Sequence, residues 1–86
     1  MDTATTKITL DKLLKGMQGT IVEINANRAL KRRLLDMGLT RGAPIQVVHT
    51  APLGDPIEII VKGYRLTLRK NEAATITIML KRQFKD

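Results

Sequence analysis

The chain has no cysteine. Disulfides, thiolate metal sites, iron–sulfur clusters and cysteine nucleophiles are therefore excluded, and a reducing compartment suits such a sequence. Its aromatic residues are Tyr64 and Phe84 alone. The core must be aliphatic, and a nucleic-acid-binding surface would lack the stacking rings that small barrels use for single strands. No apolar run approaches the roughly 20 residues needed to cross a bilayer. The first residues, MDTATTK, lack the charged-then-apolar order of a signal peptide. A cytoplasmic protein without membrane insertion is expected.

Catalytic patterns are also missing. There is no Ser–His–Asp pattern, no thiol, and no glycine-rich phosphate loop, since Gly16 and Gly19 stand apart. The chain is read as a non-enzyme. A resident metal is not expected, because the chain has one histidine and no two acidic residues close together in sequence. His49 reads as a structural or solvent-facing strand residue. Asp55 reads as a turn former before Pro56, and Glu58 lies on an outward strand face. No cofactor is implied.

What is present is a single small domain. Eighty-six residues with 43% apolar content can bury one modest core. The core is expected over about residues 8–80, with flexible tails at 1–7 and 81–86. Net charge is +7, with small clusters at Lys31, Arg32 and Arg33 and at Lys81, Arg82 and Lys85. Such a balance favours acidic partners, though it also reads as a solvated basic surface.

The most informative stretch runs from Arg28 to Gly42, RALKRRLLDMGLTRG. Asn27 is a good N-cap for a short helix. Leu30, Leu34 and Met37 fall within about 60° on a helical wheel and form the stripe to be buried. Arg32 and Asp36 lie opposite as a solvated pair. Gly38 can take the left-handed conformation that stops the helix, letting Leu39 fold back over the last turn. Thr40, Arg41 and Gly42 make a second turn.

Around this helix the chain reads as strands. Leu10, Leu13 and Leu14 suggest one helical turn ended by Gly16, with Thr9 as N-cap. A first strand follows at 20–25, with Val22 and Ile24 on one face and Ile21 and Glu23 on the other. A second spans 45–50, with Ile45, Val47 and His49 on one face. Ala51 to Pro56, APLGDP, is a loop. Residues 57–62 and 65–69 form a hairpin turned by Gly63 and Tyr64, with Leu66 and Leu68 inward and Arg65 and Thr67 outward. A polar turn covers 70–72, and a last strand at 74–80 directs Ile76, Ile78 and Leu80 to one side. Five short strands with one inserted helix predict a mainly β, SH3-like barrel, in which closure removes exposed edges; an OB-fold is the competitor.

Taken together, the ordered motifs resemble the ferrous iron transport protein A family, FeoA. They are Leu10, Leu13 and Gly16, then Val22 and Ile24, then Arg33-Leu34-Leu35-Asp36-Met37-Gly38-Leu39 and Gly42. Pro52-Leu53-Gly54-Asp55-Pro56, Ile57, Gly63, Leu66, Leu68 and Arg69 follow, closing with Glu72-Ala73 and Ile76. Arg41 stands where many members carry proline, with Pro44 later. The resemblance implies a cytoplasmic SH3-like barrel and an accessory role in ferrous iron uptake beside the membrane transporter FeoB, which has a cytosolic GTP-binding domain. Related barrels form the C-terminal domain of iron-dependent repressors similar to the diphtheria toxin repressor, so a regulatory module is an alternative. A basic nucleic-acid-binding barrel is a weaker one.

The leading class is protein interaction. Leu35 lies off the buried stripe beside Lys31. Leu53 stands at the loop tip, either as a partner anchor or as a plug for the barrel end. Arg33 flanks the stripe and can reach an acidic patch. With the Gly38 turn and Asp55 of the rigid loop, these form the candidate partner-binding set: Arg33, Leu35, Gly38, Leu53 and Asp55. The expected partner is the FeoB-like transporter, and the sequence is compatible with a homo-oligomer.

Overall fold

A computed structural model describes residues 6–81 of the chain. The elements are β1 (Lys7–Thr9), a 3₁₀ turn (Leu10–Lys12), β2 (Gln18–Ile24), α1 (Arg28–Asp36), β3 (Pro44–Thr50), β4 (Ile57–Val61), β5 (Tyr64–Leu68), α2 (Lys70–Ala73) and β6 (Ile76–Leu80). All strand pairs are antiparallel, in one six-stranded sheet of order β1-β6-β2-β3-β4-β5. The mainly β architecture expected from the sequence is present, with one more strand and one more helix. The tails expected at 1–7 and 81–86 lie outside the described residues except for positions 6, 7 and 81.

The sheet wraps one aliphatic core. Leu10, Leu34, Leu39, Val47, Ile57, Ile59, Val61, Ala73, Ile76 and Ile78 are all fully buried. Strands β4 and β6 supply alternate residues to it, as the pleat requires. In β4 these are Ile57, Ile59 and Val61, and in β6 Ile76 and Ile78. In β5 Leu68 is buried and Leu66 half-buried, while Arg65 and Thr67 face out.

Simple alternation fails at two places, and both are bulges. The β2–β6 register shifts between Ile21 and Glu23, so Ile21 and Ile24 are both buried while Glu23 is exposed. The β3–β4 register shifts between Val47 and His49, turning His49 outward although Val47 is fully buried. An extra residue inverts the facing of everything beyond it. That corrects the face assignments made for Val22 with Ile24 and for His49 with Val47.

Three further differences separate the structure from the sequence expectation. Lys7–Thr9, expected to begin in a frayed tail, pairs with β6 through Lys7↔Met79 and Ile8↔Ile78. Residues 70–73 form a one-turn helix rather than a polar turn. Glu72 Oε1 accepts from the Arg69 N–H at 3.0 Å, and Ala73 packs into the core. The β4–β5 turn lies one residue earlier than expected. Lys62 and Gly63 take positive φ, 51° and 86°, and Val61 pairs with Tyr64. Two left-handed central residues match the twist of the flanking strands. Tyr64 is thereby freed to be the first residue of β5.

The helix follows its sequence signals closely. Asn27 Oδ1 accepts from the Leu30 N–H at 2.8 Å. Gly38, at φ 94°, ends the helix; its N–H donates to Leu35 O at 3.0 Å and that of Leu39 to Leu34 O at 3.1 Å. This paired closure satisfies terminal carbonyls and folds Leu39 into the core. The Tyr64 hydroxyl donates to Met37 O, the helix's capping carbonyl. A side chain 27 positions away therefore completes the end of α1.

Two stability measurements test this frame. A Cβ at buried Gly19 would lie 2.5 Å from the Met79 carbonyl oxygen and 2.4 Å from Ile78 Cγ2. Gly19→Ala should destabilise the domain by about 2 kcal/mol or more, a fall of roughly 10 °C in Tm by circular dichroism. At Gly38 a Cβ would lie 2.8 Å from the Tyr64 hydroxyl oxygen, on top of the strain of positive φ. Tyr64→Phe should cost about 1 kcal/mol. Gly38→Ala should cost more, and measurably less in the Tyr64→Phe background; strict additivity in this double-mutant cycle would refute the contact.

Candidate docking surface

α1 has two useful sides. Its inner stripe, centred on Leu34 with Leu30 and Met37 half-buried, fixes the helix on the core. Arg33, at the edge of that stripe, forms an ion pair with Glu72 of α2. The Arg33 side chain is 57% exposed and that of Glu72 16%. A pair this open to water contributes little to stability and mainly sets orientation. Glu72 thus does two things, capping α2 with one carboxylate oxygen and holding Arg33 with the other.

Asp55 reaches the same region from the opposite side. The loop between β3 and β4 is closed by Ala51 N–H to Pro56 O at 3.1 Å and Gly54 N–H to Ala51 O at 2.7 Å. From it, Asp55 Oδ1 accepts from the Lys70 N–H at 3.0 Å, at the start of α2. Arg33, Asp55, Arg69 and Glu72 line one cleft of about 550 Å³. Two residues of the candidate set, Arg33 and Asp55, are therefore brought together around α2.

The other three stand apart from this cleft's lining. Leu53, at the loop tip, is 86% exposed and plugs nothing. Leu35 is 40% exposed and lines a separate concavity with Lys31 and Arg41. Gly38 is half-buried beneath the Tyr64 hydroxyl. Among residues weighed as metal ligands, His49 is exposed and Asp55 and Glu58 go to different partners. Glu58 Oε2 accepts from Arg65 Nη1 at 3.2 Å. Among the described residues, no three of His, Cys, Asp or Glu gather as a metal-binding group.

Sequence reasoning missed Glu72 and Tyr64 as organisers. Glu72 was findable, because a carboxylate three residues beyond a helix's N-cap, here Arg69, is part of a capping pattern. Tyr64 had no local signal; its partner is distant in the chain.

A family model described as the FeoA domain matches residues 8–80. The chain is 37% identical over 71 residues to a Fe(2+) transport protein A/Fe(2+) transporter FeoB fusion protein of Porphyromonas gingivalis, a match covering 83% of this chain and 8% of the fusion. It is 32% identical over 73 residues to a putative Fe(2+) transport protein A of Campylobacter jejuni, covering 85% of this chain and 99% of that one. Among solved structures, the FeoA protein of Chlorobium tepidum superposes with a TM-score of 0.82 at 41% identity, covering 91% of this chain and 74% of that one. The FeoA of Stenotrophomonas maltophilia, solved with zinc and described as an SH3 domain protein, gives 0.73 at 28% identity, covering 83% and 88%. A manganese-dependent transcriptional repressor gives 0.82 at 16% identity, covering 92% and 44%, a likeness of fold alone. No helix among the described residues is long and apolar enough to cross a membrane. With the SH3-like fold, the ordered motifs and the matched length in agreement, the chain belongs to the FeoA family of ferrous iron transport.

Proposed function

We propose that this chain is a non-enzymatic, cytosolic accessory protein of ferrous iron uptake that docks on a FeoB-type transporter at its GTP-binding domain. The observation that carries the reading is the Porphyromonas gingivalis relative, in which a transport protein A and a FeoB transporter share one polypeptide. Partners joined in one chain are partners that work at close range.

The surface chemistry supports a protein partner. Leu53 offers an apolar side chain on a loop closed by its own hydrogen bonds. Beside α2, Arg69 provides a planar donor that suits a carboxylate, next to the Arg33–Glu72 pair. The described residues carry no aromatic platform beyond Tyr64, whose hydroxyl is committed to Met37. The basic excess would speed encounter more than it would tighten the final complex.

The test is an amide-shift titration of the labelled chain with the transporter's cytosolic GTP-binding domain at low and high salt. Docking predicts localised shifts at residues 51–56 and around α2 that persist at the higher salt. Diffuse shifts that vanish with salt would reduce the contact to charge alone. Leu53→Ala should weaken binding by about tenfold, as an exposed anchor does, with Tm unchanged within about 2 °C. Unchanged affinity would remove Leu53 from the interface.

A further inference from the structure

Leu35 belongs to a concavity of about 200 Å³ between α1 and β2. Val22, Ile24 and Leu35 form its apolar part, and Glu23, Lys31 and Arg41 also line it. The bulge at Val22 shapes this site. It sends Ile24 inward, leaves Val22 half-buried, and turns Glu23 out. Small-molecule sites usually enclose roughly 300–1,000 Å³. An engineered apolar cavity of about 150 Å³ takes one benzene ring. The space therefore suits one apolar side chain rather than a metabolite.

Charge narrows the choice further. On a helical wheel Arg28, Lys31 and Arg32 lie within about 100° of one another, on the side that carries Leu35. All three, and Arg41, are exposed. None has a carboxylate partner among the described residues, whereas Arg33 and Arg65 do. The acidic residues nearby in sequence on these elements are Glu23 and Asp36. An apolar socket is thus lined by two cations, Lys31 and Arg41, that have no carboxylate partner among the described residues.

We propose that the α1–β2 concavity seats a single apolar side chain carried on an acidic segment of a partner protein, with Lys31 and Arg41 meeting the carboxylates that flank it. The proposal rests on the docking reading above and names a second contact within it, away from the α2 cleft. Nucleic acid would satisfy the cations and leave the socket empty. A lipid headgroup would do the same.

The probe is a capped, seven-residue peptide, acidic except for a central Leu, with a twin carrying Gly at the centre. Titration into the labelled full chain should shift amides at Ile21–Ile24, Lys31–Leu35 and Arg41. The Gly twin should bind about tenfold more weakly, and so should the Leu peptide to the Lys31→Glu, Arg41→Glu double variant. Both substitutions are on exposed side chains, so Tm should hold within about 2 °C. Equal binding of the two peptides would overturn the proposal, as would shifts centred elsewhere. Tighter binding of phosphatidylserine vesicles or a single-stranded oligonucleotide at these same amides would also overturn it. The transporter's GTP-binding domain, titrated in parallel, keeps the two readings separate. Shifts at residues 51–56 without shifts at Lys31 and Leu35 would leave docking standing and remove the socket. No binding of the domain to the wild-type chain would remove docking on that domain, while the peptide pair still decides the socket.

Discussion

Both exposed flanks of α1 depend on how the carboxyl end of that helix is held. A nine-residue helix does not persist alone in water, because its nucleation cost exceeds what so few hydrogen bonds return. Here Gly38 turns left-handed, Leu39 drops into the core, and the Tyr64 hydroxyl donates to the Met37 carbonyl. The amino end is closed by Asn27, and the middle by Leu34 and the Arg33–Glu72 pair. Fixed at these points, the helix presents Arg33 towards α2 on one flank and Leu35 towards β2 on the other. Neither surface would keep its geometry if the end of α1 frayed.

Much of this was legible from the chain itself. Asn27, Gly38 and Leu39 act locally, so their roles follow from spacing and backbone chemistry. β5 and β6 were readable because apolar residues recur there at every second position, Leu66 and Leu68 and then Ile76, Ile78 and Leu80. What escaped has a common physical reason, namely dependence on partners distant in sequence. β1 is three polar-to-apolar residues that become a strand only because β6 lies alongside. The bulges in β2 and β3 break period two where the neighbouring strand's register shifts, and Ile24 and His49 change sides as a result. α2 is four residues long and rests on Ala73 in the core and on the Lys70 N–H donating to Asp55 of the β3–β4 loop, beside the local cap in which Glu72 accepts from the Arg69 N–H. Of the candidate site, exposure of Leu35 was foreseen from the wheel. Exposure of Leu53 was one of two open alternatives, and the approach of Arg33 to Asp55 across one cleft was unforeseen.

The charges divide into two kinds. Arg33 and Arg65 are matched to Glu72 and Glu58, and they serve the internal order of the surface. Arg28, Lys31, Arg32 and Arg41 have no such match among the described residues. Fifteen basic residues against eight acidic ones leave a surplus that the fold does not consume. A surplus gathered on one helix side is a directional field, which orients an approaching acidic body before contact is made.

The pairing of β1 with β6 carries a topological consequence. Lys7 lies opposite Met79, so the path of the chain into the domain and the path out of it run side by side. A fold with adjoining ends behaves as a cassette, which can be spliced into a longer polypeptide without pulling its sheet apart. Circular permutation should be tolerated for the same reason, since a short bridge between the paired ends would let the chain be reopened at an exposed loop.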